Sequence, residues 1–111
     1  MSAGIKTVIY PVSDLARAKA MFSAVLGTAP VMDEPYYVGF NVNGQDIGLD
    51  PHGHKSGAVG YYHVGDIKGT LQALLAAGAE LDQDLKDVGG GRLIASVKDA
   101  DGNLIGLLQD A

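Results

Sequence analysis

The chain has 111 residues, with 8 Lys+Arg against 13 Asp+Glu, a net charge of −5, 3 His, no Cys and no Trp. That length suits one domain with a self-sufficient core, and the missing cysteines exclude a disulfide framework, a thiolate metal site and a Cys nucleophile. The acidic balance argues against nucleic acid as a partner, since phosphate contacts need clustered Lys and Arg, and no apolar run approaches the roughly 20 residues of a membrane span.

The start, Met1-Ser2-Ala3-Gly4-Ile5-Lys6, lacks a signal-peptide layout, so a cytoplasmic location is expected. Residues 5–12 are β-rich and end near Pro11. Ser13-Asp14 then offers a helix N-cap. Leu15, Ala18, Phe22 and Val25 follow at helical spacing as one apolar stripe, and Gly27 stands where a left-handed residue would close the helix. Residues 36–42 read as a strand, Asn43-Gly44 as a type I′ turn, and residues 45–50 as the returning strand. Residues 51–57, Pro-His-Gly-His-Lys-Ser-Gly, read as a turn-rich linker.

The pattern then starts again. Residues 59–64 are β-like and Asp66 caps a helix with the stripe Ile67, Leu71, Leu74 and Leu75, ended by Gly78. Three extended segments follow, at 80–88, 92–97 and 104–109, the last after the Asp99-Ala100-Asp101-Gly102 turn. Identity repeats as well as pattern. Val12-Ser13-Asp14-Leu15 recurs 52 residues later as Val64-Gly65-Asp66-Ile67, and Gly44, Ile47, Gly48 and Leu49 recur 58 residues later as Gly102, Ile105, Gly106 and Leu107. Two copies of a βαβββ unit are the simplest reading, with module one near 1–52 and module two near 58–111 of a single domain. Each copy is too small to cover both faces of its own sheet.

The Asn43-Gly44 turn fixes a register: Val42 opposes Gln45, Phe40 opposes Ile47, Val38 opposes Leu49 and Tyr37 opposes Asp50. Alternation places Val38, Phe40, Val42, Ile47 and Leu49 under the helix, and Tyr37, Gly39, Asn41, Gly48 and Asp50 on the other face. By the repeat, Leu93, Ala95, Val97, Ile105 and Leu107 lie under the second helix. Arg92, Ile94, Ser96, Gly106 and Leu108 then lie opposite, beside Val59, Tyr61 and His63. The helix-distal faces thus mix tyrosines and polar groups with Gly39, Gly48 and Gly106. These glycines either leave an open floor for a small molecule or mark bulges and close sheet packing. Of Tyr36, Tyr37, Tyr61 and Tyr62, two are expected to present stacking surfaces and two to pack or stay exposed.

His63 is either a general base, since imidazole suits proton transfer near neutral pH, or a hydrogen-bond partner for a ligand. Arg92 follows Gly89-Gly90-Gly91, which precedes a strand and is therefore no phosphate loop but a mobile edge or flap. Its guanidinium either pairs with an anionic ligand or forms an internal salt bridge, with Asp50 as a possible partner. His52 and His54, with Asp50, form a weak metal-site candidate in the linker; a solvated loop is the plainer alternative.

Val12-Ser13-Asp14-Leu15-Ala16-Arg17-Ala18 with Phe22 and Val25-Leu26-Gly27, the His63-Val64-Gly65-Asp66-Ile67 start of the second helix, and Asp99-Ala100-Asp101-Gly102-Asn103-Leu104-Ile105 resemble the vicinal oxygen chelate superfamily of glyoxalases, bleomycin-resistance-type proteins and ring-cleaving dioxygenases. The resemblance covers nearly the whole chain. It implies an α+β fold of two tandem βαβββ modules forming a curved mixed sheet around a cleft, with the helices outside, usually in homodimers. It also implies metal ligands on the first and last strands of each module, positions that fall on Thr7, Gly48, Val59 and Gly106. None is a usual ligand, and glycine and valine offer no side-chain donor. The expectation is a protein with no cofactor and no resident metal that binds a planar or aromatic polar small molecule. Its predicted ligand-binding residues are Thr7, Tyr37, Asn41, Gly48, Val59, Tyr61, His63, Arg92, Ser96 and Gly106. The alternative is a glyoxalase-type lyase or isomerase with His63 or Asp50 as base.

Overall fold

Local chemistry sets where the helices begin. Asp14 and Asp66 are non-helical residues whose carboxylates accept from the backbone N–H three residues on, Arg17 and Gly69, each at 3.1 Å. Each such cap satisfies a donor that the first helical turn leaves open. The computed structural model describes residues 2–52 and 57–111. In chain order these form β1 (Ser2–Pro11), α1 (Leu15–Leu26), β2 (Met32–Glu34), β3 (Tyr37–Val42) and β4 (Gln45–Asp50). There follow β5 (Val59–Val64), α2 (Ile67–Ala76), β6 (Glu80–Asp87), β7 (Leu93–Lys98) and β8 (Leu104–Gln109). The architecture is the mixed α+β arrangement of two βαβββ modules that the sequence predicts. Two compact units group Thr7–Val59 and Gly60–Ala111, the second also taking the chain up to Lys6.

In the first unit the strand order is β2-β3-β4-β1, with β1 parallel to β4 and the other pairs antiparallel. The Asn43-Gly44 turn has positive φ at both residues, 52° and 83°, as a type I′ turn requires. The β3–β4 register runs from Val42↔Gln45 to Val38↔Leu49, as its turn predicts. Val38, Phe40 and Leu49 are buried with Ala18 of α1, and Tyr10, Leu15, Phe22, Leu26 and Ile47 pack around them. Tyr10 and Phe22 meet at 4.9 Å between ring centroids. Leu26, not Val25, completes the α1 stripe, because Val25 is 74% exposed. Gly27 closes the helix at φ 69°, its N–H donating to Ser23 O at 2.9 Å.

In the second unit the order is β5-β8-β7-β6, with β5 parallel to β8. Ile67 and Leu71 of α2 bury against Ala95, Val97 and Leu107, flanked by Leu74, Leu93 and Ile105. Leu75, expected in the α2 stripe, is instead exposed. Gln109 Oε1 accepts from Ile67 N at 2.8 Å and ties the end of β8 to the start of α2.

The duplication is written into the registers. Ile9↔Gly48 in β1–β4 has its counterpart in Tyr61↔Gly106 of β5–β8, at the two offsets read from the sequence. Two boundaries depart from expectation. β1 begins at Ser2, and the three-residue strand β2 pairs with β3 where only a connection is predicted.

Candidate functional site

The helix-distal faces carry the chemistry, and the two glycines expected there as open floor are covered. A Cβ on Gly48 would collide with the Tyr37 hydroxyl and lie 2.6 Å from Ile9 Cδ1. One on Gly106 would lie 2.6 Å from Tyr61 Cδ1 and 2.8 Å from the backbone oxygen of Gly60. The missing side chains therefore accommodate tyrosine rings lying on the sheet, which is the close-packing alternative. Tyr37 and Tyr61 are half-buried, whereas Tyr36 and Tyr62 are exposed at 59% and 37%.

In the second unit the register sets Ser96 opposite Gly106 and Ile94 opposite Leu108, with His63 of β5 also beside Leu108. Continuing that register past Leu93↔Gln109 brings Arg92 opposite Asp110. Arg92 Nε donates to Asp110 Oδ1 at 2.9 Å, and Nη2 reaches the same oxygen at 2.8 Å. His63 Nδ1 lies 3.5 Å from the other oxygen, Oδ2. The imidazole is 14% exposed, so Asp110 links a sheltered ring to an accessible guanidinium. The salt bridge of Arg92 is thus made with Asp110 rather than Asp50. Sequence reasoning missed Asp110. Its signal is the β8 alternation, which continues two residues past Leu108.

Gly89-Gly90-Gly91 holds Arg92 at this place. All three glycines have positive φ, and the turn is closed by Val88 N to Arg92 O (2.9 Å) and Arg92 N to Gly89 O (3.1 Å). The expected mobile flap is therefore a hydrogen-bonded hairpin turn that few other residues could follow.

The other predicted residues are engaged elsewhere. Ser96, 5% exposed, donates to Asp82 Oδ2 at 2.7 Å, a carboxylate that the irregular β6–β7 register between Leu81 and Gln83 turns towards it. Asn41 Nδ2 donates to Asp46 Oδ1 at 2.8 Å on an exposed stretch of hairpin. Asp50 Oδ1 accepts from the backbone N–H of His52 at 2.8 Å, a local turn contact. Thr7 and Val59 are buried. His54 lies outside the described residues, so the His52/His54 pair finds no description as a unit.

Residues 4–107 match the model of the Glyoxalase/Bleomycin resistance protein/Dioxygenase superfamily. The chain belongs to this superfamily. Solved structures agree on the fold. A superfamily member from Vibrio splendidus 12B01 is 21% identical with TM-score 0.72, covering 99% of this chain and 100% of that one. Methylmalonyl-CoA epimerase from Mycobacterium tuberculosis is 22% identical with TM-score 0.77, over 99% and 89%. A Mn(II)-bound glyoxalase from Novosphingobium aromaticivorans is 20% identical with TM-score 0.74, over 99% and 40%. No curated protein matches the chain.

A divalent metal is the group this superfamily implies, and the side chains here do not fit one. Thr7 offers a neutral hydroxyl, while Gly48, Val59 and Gly106 offer nothing. Divalent cations take carboxylates, imidazoles or thiolates. Among the described residues no three His, Asp or Glu side chains are grouped to hold an ion. Nor is any described helix long and apolar enough to cross a membrane.

Proposed function

We propose that this superfamily member binds a planar or aromatic polar small molecule without a resident metal and sequesters it unchanged, as a single-domain cytoplasmic homodimer. One observation carries the reading. The four family metal seats hold Thr7, Gly48, Val59 and Gly106, and tyrosine rings lie over two of them. A ring face with a polar tip is a stacking surface, and Tyr61 stands on the same sheet face as His63 and Arg92, which add hydrogen-bonding groups. Thr7, Tyr37, Asn41, Val59 and Ser96 remain the other proposed contacts.

The test is a thermal-shift screen over planar aromatic metabolites with and without EDTA. A ligand at a hundred times its dissociation constant stabilises by about 2.7 kcal/mol, several degrees in a domain of this size. The expected hit is indifferent to EDTA and lost in Tyr61→Leu. A shift that appears only with added Mn(II) or Zn(II) would overturn the reading.

A second reading, a glyoxalase-type lyase or isomerase, draws on the contact between His63 and Asp110. A carboxylate at Nδ1 orients an imidazole so that Nε2 can take a proton. Asp50 remains the other candidate base. EDTA-resistant turnover of a 2-oxoaldehyde–thiol adduct, abolished in His63→Gln, would favour this reading over sequestration.

A further inference from the structure

The contact of Asp110 with Arg92 has an unusual form. A guanidinium edge presents two parallel N–H groups that match the two oxygens of a carboxylate, one bond to each. Here Nε and Nη2 of Arg92 both converge on Oδ1, at 2.9 and 2.8 Å, while Oδ2 is directed to His63. The two shortest contacts of the fork thus fall on a single oxygen. The Asp110 side chain is 58% exposed, just beyond the last strand, so turning it into solvent costs little packing. Beside it opens a depression of about 340 Å³, walled by Lys6, His63, Leu108, Gln109 and Asp110 among others. Lys6 lines this depression and Arg92 pairs with Asp110 at its edge, so two cationic side chains stand near the Asp110 carboxylate.

We infer that Arg92 and His63 form a subsite for the carboxylate of an incoming ligand, and that Asp110 occupies it as an internal stand-in when no ligand is bound. This rests on the binding reading above and names its ligand class, an aromatic carboxylate. An external carboxylate gains what Asp110 does not use: one oxygen for each arm of the Arg92 fork, with Lys6 adding a second cation. Its aromatic body lies in the depression beside His63 and Gln109. Asp110 thereby sets affinity by competition. A self-contact at a half-exposed site is worth at most about 1 kcal/mol, so the competition weakens ligand binding by up to about fivefold.

Benzoate and its neutral isostere benzamide are the probes, titrated into the full chain and into Asp110→Asn and Arg92→Gln. The readouts are the Arg92 Nε–H resonance and the thermal shift. Benzoate is expected to move the Arg92 signal in the parent protein. Asp110→Asn should bind it about three- to fivefold more tightly, whereas Arg92→Gln should lose benzoate and bind benzamide no worse than the parent. Unchanged or weaker benzoate binding by Asp110→Asn overturns the inference, as does an Arg92 signal that stays still at millimolar benzoate in both parent and Asp110→Asn. Benzamide bound equally by all three proteins, with no preference for benzoate, also overturns it while leaving the small-molecule reading standing. Loss of the metal-independent screening hits described above would remove that reading instead.

Discussion

The two modules share a register and differ in what they set upon it. Crossing the sheet through equivalent positions, module one presents Ile9, Gly48, Gly39 and Met32, and module two presents Tyr61, Gly106 and Ser96, with Asp82 bonded to Ser96. One turn of the alternation further along, His63 pairs beside Leu108 where module one has Pro11 beside Asp50. Arg92 falls, by the same registers, where module one has Pro35. Duplicated backbone thus carries a nearly apolar row in one copy and a polar one in the other. The cores show a similar exchange. Phe40 on the sheet faces a helix bearing the small Ala18, whereas Ala95 and Val97 face the larger Leu71. The side chains that fill the space under each helix thus change from one module to the other while both layers stay packed. The helix side of each module is thus constrained by packing, and the opposite side is where the copies have diverged.

The largest expected effect tests this asymmetry at its two glycines. In module one a new methyl on Gly48 meets only the far ends of side chains, Tyr37 and Ile9, which can swing aside. In module two a methyl on Gly106 meets the Tyr61 ring and also the Gly60 carbonyl oxygen, which belongs to the backbone and cannot move alone. Gly106→Ala is therefore expected to cost about 2–3 kcal/mol and Gly48→Ala about 1 kcal/mol, read from urea midpoints at unchanged m-value. Equal costs would mean that the two tyrosines are held alike, and that the modules differ in chemistry but not in rigidity.

The helix caps give a smaller contrast. Asp14 holds the first turn of α1 through Arg17 N, whereas the start of α2 has Asp66 and also the long-range bond from Ile67 N to Gln109. Asp14→Ala should cost about 1 kcal/mol and Asp66→Ala about half as much, because Gln109 continues to hold a donor of the α2 first turn. A double variant, Asp66→Ala with Gln109→Ala, should lose more than the sum of the two single changes, since both side chains serve one helix start.

Both caps were legible in the sequence because capping is local. An Asp before an apolar stripe needs no distant partner to act. The β3–β4 register was equally legible, since Asn43-Gly44 fixes it within two residues. What escaped reading depended on something non-local. Met32–Glu34 is exposed throughout, so no alternation marks it as a strand; its pairing with β3 makes it one. Val25 has the right spacing for the α1 stripe, but the core takes Leu26 at the same end of the helix and leaves Val25 exposed. Gly48 and Gly106 look like vacancies until the rings of Tyr37 and Tyr61 are placed over them, and ring placement is a rotamer choice absent from a residue string. Asp110 lies outside every motif, and only the strand pairing of β7 with β8 shows that Arg92 faces it.

The smallest expected effect compares the two hairpin turns. Module one turns on Asn43-Gly44, which carries no titrating group. Module two turns on Asp99, whose Oδ1 accepts from the backbone N–H groups of Asp101 and Asn103 at 2.9 and 2.8 Å and whose Oδ2 accepts from Asn103 Nδ2 at 2.9 Å. The Asn103 side chain foremost, then these backbone donors, hold the Asp99 carboxyl below its usual value of 3.8. A carboxylate with a depressed folded pKa stabilises the fold above its unfolded value and loses that contribution as pH falls through the folded value. Wild type and Asp99→Ala should therefore differ in melting temperature by a constant amount at pH 5 and above, and the gap should narrow steadily as the pH drops below about 3.8. Asn103→Ala should narrow the same gap from the other side by raising the Asp99 pKa, with carbon-detected NMR of the carboxyl as the direct check. A variant of Asn43 should show no such dependence, and a flat gap at Asp99 would place the acid response of this fold outside this turn.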